Sequence, residues 1–289
     1  MNKLKIALLP NLTRKHAKGV TIDVCRHLDG LNVEYFFDND TASKLKDEVY
    51  VKSMSKDELI KNCDAVIAIG GDGSLIHAAK RAVKFKKPIL GINAGKLAFM
   101  AGVEKNELYL LDDLIGGNYT IDTRMMLDVF LVNEKGAVQI GSCLNDVVIA
   151  RGEQIKLIKL RISSNEKYIN EYYADGVIIS TPTGSTAYSL SAGGPVIDPK
   201  IESIMLTPIC THSLFARSLI FEKDSVLTID IPENEEDIIC ISCDGDNAIK
   251  LNAKDRIIVK KSEYSADFIR LKNESFIDVL NSKLTQRRA

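Results

Sequence analysis

Three short stretches of this chain hold residue types whose combination can do chemistry. The first is Gly70-Gly71-Asp72-Gly73-Ser74, set between the apolar run Ala65-Val66-Ile67-Ala68-Ile69 and Leu75-Ile76-His77-Ala78-Ala79-Lys80. It reads as a buried strand, a glycine turn and a helix start, with the carboxylate at the tip of the turn and Ser74 placed to cap the helix. Three glycines let backbone N–H groups approach a phosphate with no side chain in the way. The stretch is neither a Walker A loop nor a Rossmann GxGxxG. It points to phosphate chemistry around one acid; the plainer alternative is an Asp that caps its own helix.

The second stretch runs Thr181-Pro182-Thr183-Gly184-Ser185-Thr186-Ala187-Tyr188-Ser189-Leu190-Ser191-Ala192-Gly193-Gly194-Pro195. Each hydroxyl can donate and accept, and Tyr188 offers a face to a flat ring. Taken alone, it can also be a flexible loop. The third is Asn145-Asp146, directly before a strand. An amide beside a carboxylate suits the two hydroxyls of a ribose, or forms an ordinary hairpin turn. Asp175-Gly176 carries the same ambiguity.

The elements that must position these residues come in two styles. Residues 1 to about 124 alternate short apolar strands (Lys5 to Leu9, Val33 to Phe37, Ala65 to Ile69, Pro88 to Ile92) with helical stretches. One helix ends near Gly30, one begins at Ser55 by a capping box, one spans about Ser74 to Lys84, and one Glu104 to Leu114. That pattern predicts a parallel α/β sheet with ligands at the strand C-termini. After Arg124, strand-like runs with period-2 alternation dominate, among them 127–132, 137–140, 147–150, 155–162, 176–180, 226–231 and 256–260. They predict an all-β, sandwich-like domain over residues 125–269. Residues 270–289 form a last segment in which Phe276, Val279, Leu280 and Leu284 make a helical stripe that returns to the first domain.

Composition sets limits. At 289 residues the chain holds about two domains. A net charge of −1 supplies no basic field for nucleic acid or anionic lipid, and the absence of Trp gives little support to base stacking. No apolar run reaches the ~18 residues of a membrane span, and the first ten residues read as a strand rather than a signal peptide, so a cytoplasmic location is expected. Cys240-Ile241-Ser242-Cys243 is formally a CxxC, but on a strand its two sulfurs face opposite sides and cannot share a metal ion. No metal ligands are predicted from the chain itself.

Together the motifs closely resemble the NAD kinase family of bacterial type, within the GGDG superfamily that includes diacylglycerol and sphingosine kinases and 6-phosphofructokinases. The carriers are Gly70 to Gly73, Asn93-Ala94-Gly95-Lys96-Leu97-Ala98-Phe99, Leu144-Asn145-Asp146, Ala174-Asp175-Gly176 and Thr181 to Pro195. The resemblance implies transfer of a phosphoryl group from ATP or polyphosphate to the 2′-hydroxyl of the adenosine ribose of NAD. It makes Asp72 the general base, with Gly73 beside it contacting the substrate, and puts His77 where the family often has a basic residue near phosphate; a lone His on a helix can equally be structural. Phe99 lines the adenine side, Asn145 and Asp146 hold a ribose, and Asp175 meets the nicotinamide end. Thr186, Ala187, Tyr188, Ser189, Leu190 and Ser191 form the loop around the dinucleotide. It further implies Mg2+ or another divalent metal bound with the donor, and a homodimer or homotetramer. The chain departs from the family in three places. Asp146 stands where Glu is usual, Ala98 replaces a Gly, and Asp246 stands where Gln is frequent. A lipid kinase would share GGDG but lack the Thr181 to Pro195 loop, whereas a non-catalytic dinucleotide sensor would keep the loop without needing Asp72.

Overall fold

The computed structural model describes residues 4–95, 98–153, 156–212, 217–232 and 238–286. Lys96 and Leu97 of the motif after the fourth predicted strand, Ile155 and the side chain of Leu284 lie outside the described residues. The chain divides into two compact units, Met1–Thr123 with Ala266–Ala289, and Arg124–Ser265.

The first unit is a parallel sheet with flanking helices. Its strands run in the order Ser53–Met54, Glu34–Asp38, Lys5–Pro10, Ala65–Gly70, Ile89–Asn93, all parallel. Every residue of Ala65–Gly70 and Ile89–Asn93 is buried, as strands covered on both faces must be. The chain winds outward from Lys5–Pro10 in one direction, then returns to lay Ala65–Gly70 on its other side. The C-terminal ends of these two strands therefore flank the switch point of the sheet, where open α/β folds take ligands. Gly91 explains how closely sheet and helix meet, because a Cβ there would fall on the Leu75 side chain.

Two expectations shift. Gly30 is the last residue of the helix Ala17–Gly30, and the left-handed turn falls at Asn32, φ 55°. The segment expected to be one helix from Glu104 begins instead with a short strand, Val103–Glu104. Glu107 carbonyl and side-chain bonds to its neighbours then precede a 3-10 turn, Leu108–Leu110, and a helix, Leu111–Gly116. The C-terminal helix Phe276–Gln286 belongs to this unit, with Phe276, Val279 and Leu280 half-buried.

The second unit is a sandwich. One sheet is wholly antiparallel, in the order Leu219–Glu222, Ser203–Ile209, Gly176–Ser180, Asp146–Arg151, Ile239–Cys243, Ile249–Leu251. The other pairs Lys167–Ala174, Ile158–Ser164, Leu227–Asp230 and the first part of Arg256–Arg270. Their inner faces supply one core, with Val147, Ile149, Val177 and Ile179 from the first and Leu160, Ile162, Ile229 and Ile257 from the second. Alternation then puts Asp146, Ser180 and Thr207 on the outer face of the six-stranded sheet. Cys240 and Cys243 fall on opposite faces of one strand.

Candidate active site

In the first unit, Asp72 is the opening residue of the helix Asp72–Ala82, with Gly71 in the N-cap position and extended. The acid is therefore not at the tip of a free turn, and Ser74 does not cap. Ser74 lies in the first helical turn, and its Oγ accepts from Asn11 Nδ2 at 3.1 Å. A Cβ at Gly70 would collide with that same hydroxyl, so glycine is required there by packing. Gly71 and Gly73 are different. A Cβ at either meets nothing within 4 Å, and neither has a positive φ. Glycine inside a helix costs about 0.5–1 kcal/mol relative to alanine. Gly71 suits its N-cap position, whereas nothing in the protein's own packing requires glycine at Gly73.

Asp72 is held from the neighbouring loop. The Phe99 N–H donates to Oδ2 at 2.9 Å and the Met100 N–H to Oδ1 at 3.0 Å. The loop is itself braced. Ala94 N–H donates to the Gly70 carbonyl, buried Asn93 donates to Glu104 at 2.8 Å, and its Oδ1 accepts from Gly95 N–H at 2.8 Å. At the far end Arg270 donates to the Met100 carbonyl at 3.1 Å while two of its nitrogens grip Asp122 at 3.0 and 2.9 Å. A planar guanidinium suits this fork. Both carboxylate oxygens are thus aimed by backbone, and Asp72 stays half-buried, open to a substrate. Phe99 is half-buried beside it, and His77 lies exposed one turn along the helix. A cleft of about 270 Å3 at the switch point is lined by Asn11, Asp38, Ser74, His77 and Arg81 among others.

In the second unit, Asn145 and Asp146 stand where the chain enters the six-stranded sheet. The hydroxyl-rich segment is built directly against them. Thr181 Oγ1 donates to the Leu144 carbonyl at 2.6 Å, Thr181 N–H to the Asn145 carbonyl at 2.8 Å, and Gly184 N–H to Thr181 Oγ1 at 3.1 Å. A Cβ at Gly184 would fall on the Asn145 backbone, so this approach needs glycine. The segment is no flexible loop. It folds into a 3-10 turn, Thr183–Thr186, and one helical turn, Tyr188–Ser191.

Its residues separate into two groups. Ser185 and Ser189 are fully buried; Ser185 Oγ accepts from Ile197 N–H at 3.0 Å, and Ser189 Oγ lies 2.9 Å from Thr207 Oγ1. Those hydroxyls brace the segment on the sheet. Thr186, Ala187 and Leu190 are half-buried, and Tyr188 and Ser191 are exposed. Asp146 is only 5% exposed, and burial together with the Asp244 charge pushes its carboxyl up to about 7, opposed by the Tyr188 amide that donates to it. Ser180 stands directly across from it in the neighbouring strand. Asn145 Oδ1 and Ser180 Oγ are the buried side-chain atoms without a hydrogen-bond partner among the described residues. A buried acceptor left unpaired costs about 1–3 kcal/mol, a cost that a bound hydroxyl removes. Asp175 stands apart from this group, with Oδ1 accepting from Arg151 Nε at 2.7 Å.

Sequence reasoning missed Asn11, which ties the first strand to Ser74, the Arg270–Asp122 brace, and Asp244. Only Asp244 carries a local signal, an Asp-Gly pair between two apolar runs. Among the described residues no cluster of His, Cys, Asp or Glu is arranged to hold a metal ion.

A glycine-bound acid at a parallel-sheet switch point, followed in one chain by a hydroxyl-rich turn on a β-sandwich, marks a kinase of the GGDG class. Comparison with known proteins narrows this. Residues 11–119 match the family model of the ATP-NAD kinase N-terminal domain, and residues 144–271 that of the ATP-NAD kinase C-terminal domain. The chain belongs to the NAD kinase family. The NAD kinase of Thermoanaerobacter sp. (strain X514) is 39% identical over 98% of this chain and 99% of its own length. That of Caldanaerobacter subterraneus subsp. tengcongensis is 37% identical over the same shares. Among solved structures, yeast NADH kinase complexed with NADH gives a TM-score of 0.90 at 23% identity, covering 99% of this chain and 89% of that one. An NAD kinase from Archaeoglobus fulgidus in complex with ATP gives 0.73 at 22% identity, covering 98% and 99%.

Proposed function

We propose that this chain transfers the terminal phosphoryl group of ATP to the 2′-hydroxyl of the adenosine ribose of NAD, yielding NADP and ADP. The 2′-oxygen attacks the terminal phosphorus, the bond to the bridging oxygen breaks, and ADP departs with that oxygen. The hydroxyl proton passes to Asp72 and then to solvent. A carboxylate is a weak base toward an alcohol, so Asp72 aims the hydroxyl in line and takes its proton late, as the attacking oxygen acidifies. The Phe99 and Met100 amides keep its two oxygens from turning away.

The observation that carries this reading is the pair of glycines, 71 and 73, open to space on either side of an amide-held acid. That space receives phosphate, with Gly73 and His77 beside it. Asn145 and Asp146 hold the ribose, and Phe99 lines the adenine side. Thr186 to Ser191 wrap the dinucleotide, Tyr188 with its exposed ring, while Ser189, fully buried, holds the turn on the sheet and does not itself reach the ligand. Asp175 meets the nicotinamide end. The divalent cation enters as part of the substrate, Mg·ATP, because a triphosphate needs its charge neutralised. The enzyme works in the cytosol as a homodimer or homotetramer; no helix among the described residues is long and apolar enough to cross a membrane.

Incubation with NAD, ATP and Mg2+ followed by an NADP assay tests the reading. A panel of ATP, other nucleotides and polyphosphate, against NAD and NADH, fixes donor and acceptor. No NADP with any pair overturns it in favour of a sensor or a lipid kinase.

A further inference from the structure

The turn that presents Asn145 and Asp146 is held by one carboxylate from the turn that follows Ile239–Cys243. The amide N–H of Leu144 donates to Asp244 Oδ2 at 2.8 Å. Those of Asn145 and Asp146 donate to Asp244 Oδ1 at 2.8 and 3.1 Å. The Asp244 N–H in return donates to the Asp146 carbonyl at 2.9 Å. The register that pairs Cys243 with Val147 sets Asp244 beside Asp146.

Three consecutive amides converging on one point form a concavity that binds an anion. Here the protein fills it with its own side chain. Asp244 adopts a left-handed φ of 54° to do so, a conformation that non-glycine residues adopt rarely, followed by Gly245 at 74°. Only a carboxylate can accept all three bonds, since an amide side chain offers a single acceptor atom.

We propose that Asp244 is a positioning residue for the dinucleotide, gathering the three amides so that the Asn145 and Asp146 side chains are presented to the ribose. The inference rests on the reading that those two residues hold the ribose. It carries a second consequence through charge. Facing Asp146 are Asp244 from the hairpin turn, the Tyr188 amide from the hydroxyl-rich segment and Ser180 from the neighbouring strand. Of these groups only Asp244 carries a carboxylate, and its charge opposes ionisation of Asp146. Removing it moves that ionisation to lower pH.

The test uses the full chain, with KM for NAD, KM for ATP and kcat measured from pH 5.5 to 8.5. Asp244→Ala is expected to raise KM for NAD about tenfold while KM for ATP stays within about twofold. Asp244→Asn keeps one acceptor, so its expected rise is about threefold, and the acid limb of its NAD profile moves to lower pH. If Asp244→Ala does not fold, Asp244→Asn decides. A rise in both KM values alike, or an unmoved acid limb in Asp244→Asn, overturns the inference. Asn145→Ala separates the two levels. An unchanged NAD KM there overturns the ribose assignment and this inference with it. A raised KM there, with both Asp244 variants like wild type, overturns the role of Asp244 alone.

Discussion

Asp72 and Asp146 are both acids beside glycine-dependent turns, one in each unit, yet the protein treats them oppositely. Asp72 is half-buried at a helix start with two loop amides on its carboxylate. Asp146 is almost wholly buried, and that burial, with a second carboxylate beside it, pushes its carboxyl up to about 7. The first is restrained in direction and left open to substrate. The second is kept dry, where a charge is costly and a hydrogen-bond partner is worth most. Aim suits a group that handles a proton in flight, whereas desolvation suits one that recognises hydroxyls.

This contrast breaks most sharply at Asp72. Asp72→Asn is expected to lower kcat by about a thousandfold with little change in NAD affinity. Retained kcat would show that the amides orient a spectator. Gly73→Ala comes next, since the added methyl meets no protein atom. It should leave stability unchanged or raise it by about 0.5–1 kcal/mol of helix propensity, read as an unchanged or higher melting temperature, while kcat/KM falls at least tenfold. An active Gly73→Ala enzyme would remove the phosphate from that space.

Asp146→Asn sharpens the other side. KM for NAD should rise about tenfold, the size of a charge-assisted hydrogen bond, and lose its acid limb. Stability should move the other way. The folded protein keeps the Asp146 proton that the unfolded chain releases near pH 4, so its contribution is full below that pH and is lost as pH rises through about 7. The variant should therefore be more stable than wild type at pH 8, by about 2–4 kcal/mol, and equal to it below pH 4. Thermal melts across that range check the sign. The smallest effect is expected from Arg270→Lys, which loses the fork on Asp122 and Met100. A fall of a few-fold in kcat, with NAD KM unchanged, would tie the brace to Asp72 rather than to binding.

Much of the site is legible in local pattern. A glycine-flanked acid after an apolar run needs no long-range information, and neither does a dense cluster of hydroxyls. What escaped depends on partners far apart in the chain. Ser74 looks like a cap until Asn11, 63 residues away, takes its hydroxyl. Asp244 gathers amides 98 to 100 positions distant. In the fold, Ser203–Ile209 is hidden by Pro208, which argues against a strand. Pro208 is tolerated because its stretch pairs with Val177 on one side only, past the residues that also pair with Leu219–Glu222. Lys167–Ala174 is masked by polar residues that an edge strand can expose.

The contact of Gly184 with the Asn145 backbone reaches beyond binding. Neither piece is a portable module. Grafting the hydroxyl-rich turn onto another sandwich without the Asn145 strand entry would leave Thr181 and Gly184 without their seat, and importing the strand entry alone would meet a Cβ in its way. Engineered changes in this scaffold must therefore inherit the seam between residues 144–146 and 181–184 whole and be confined to the outward residues around Tyr188.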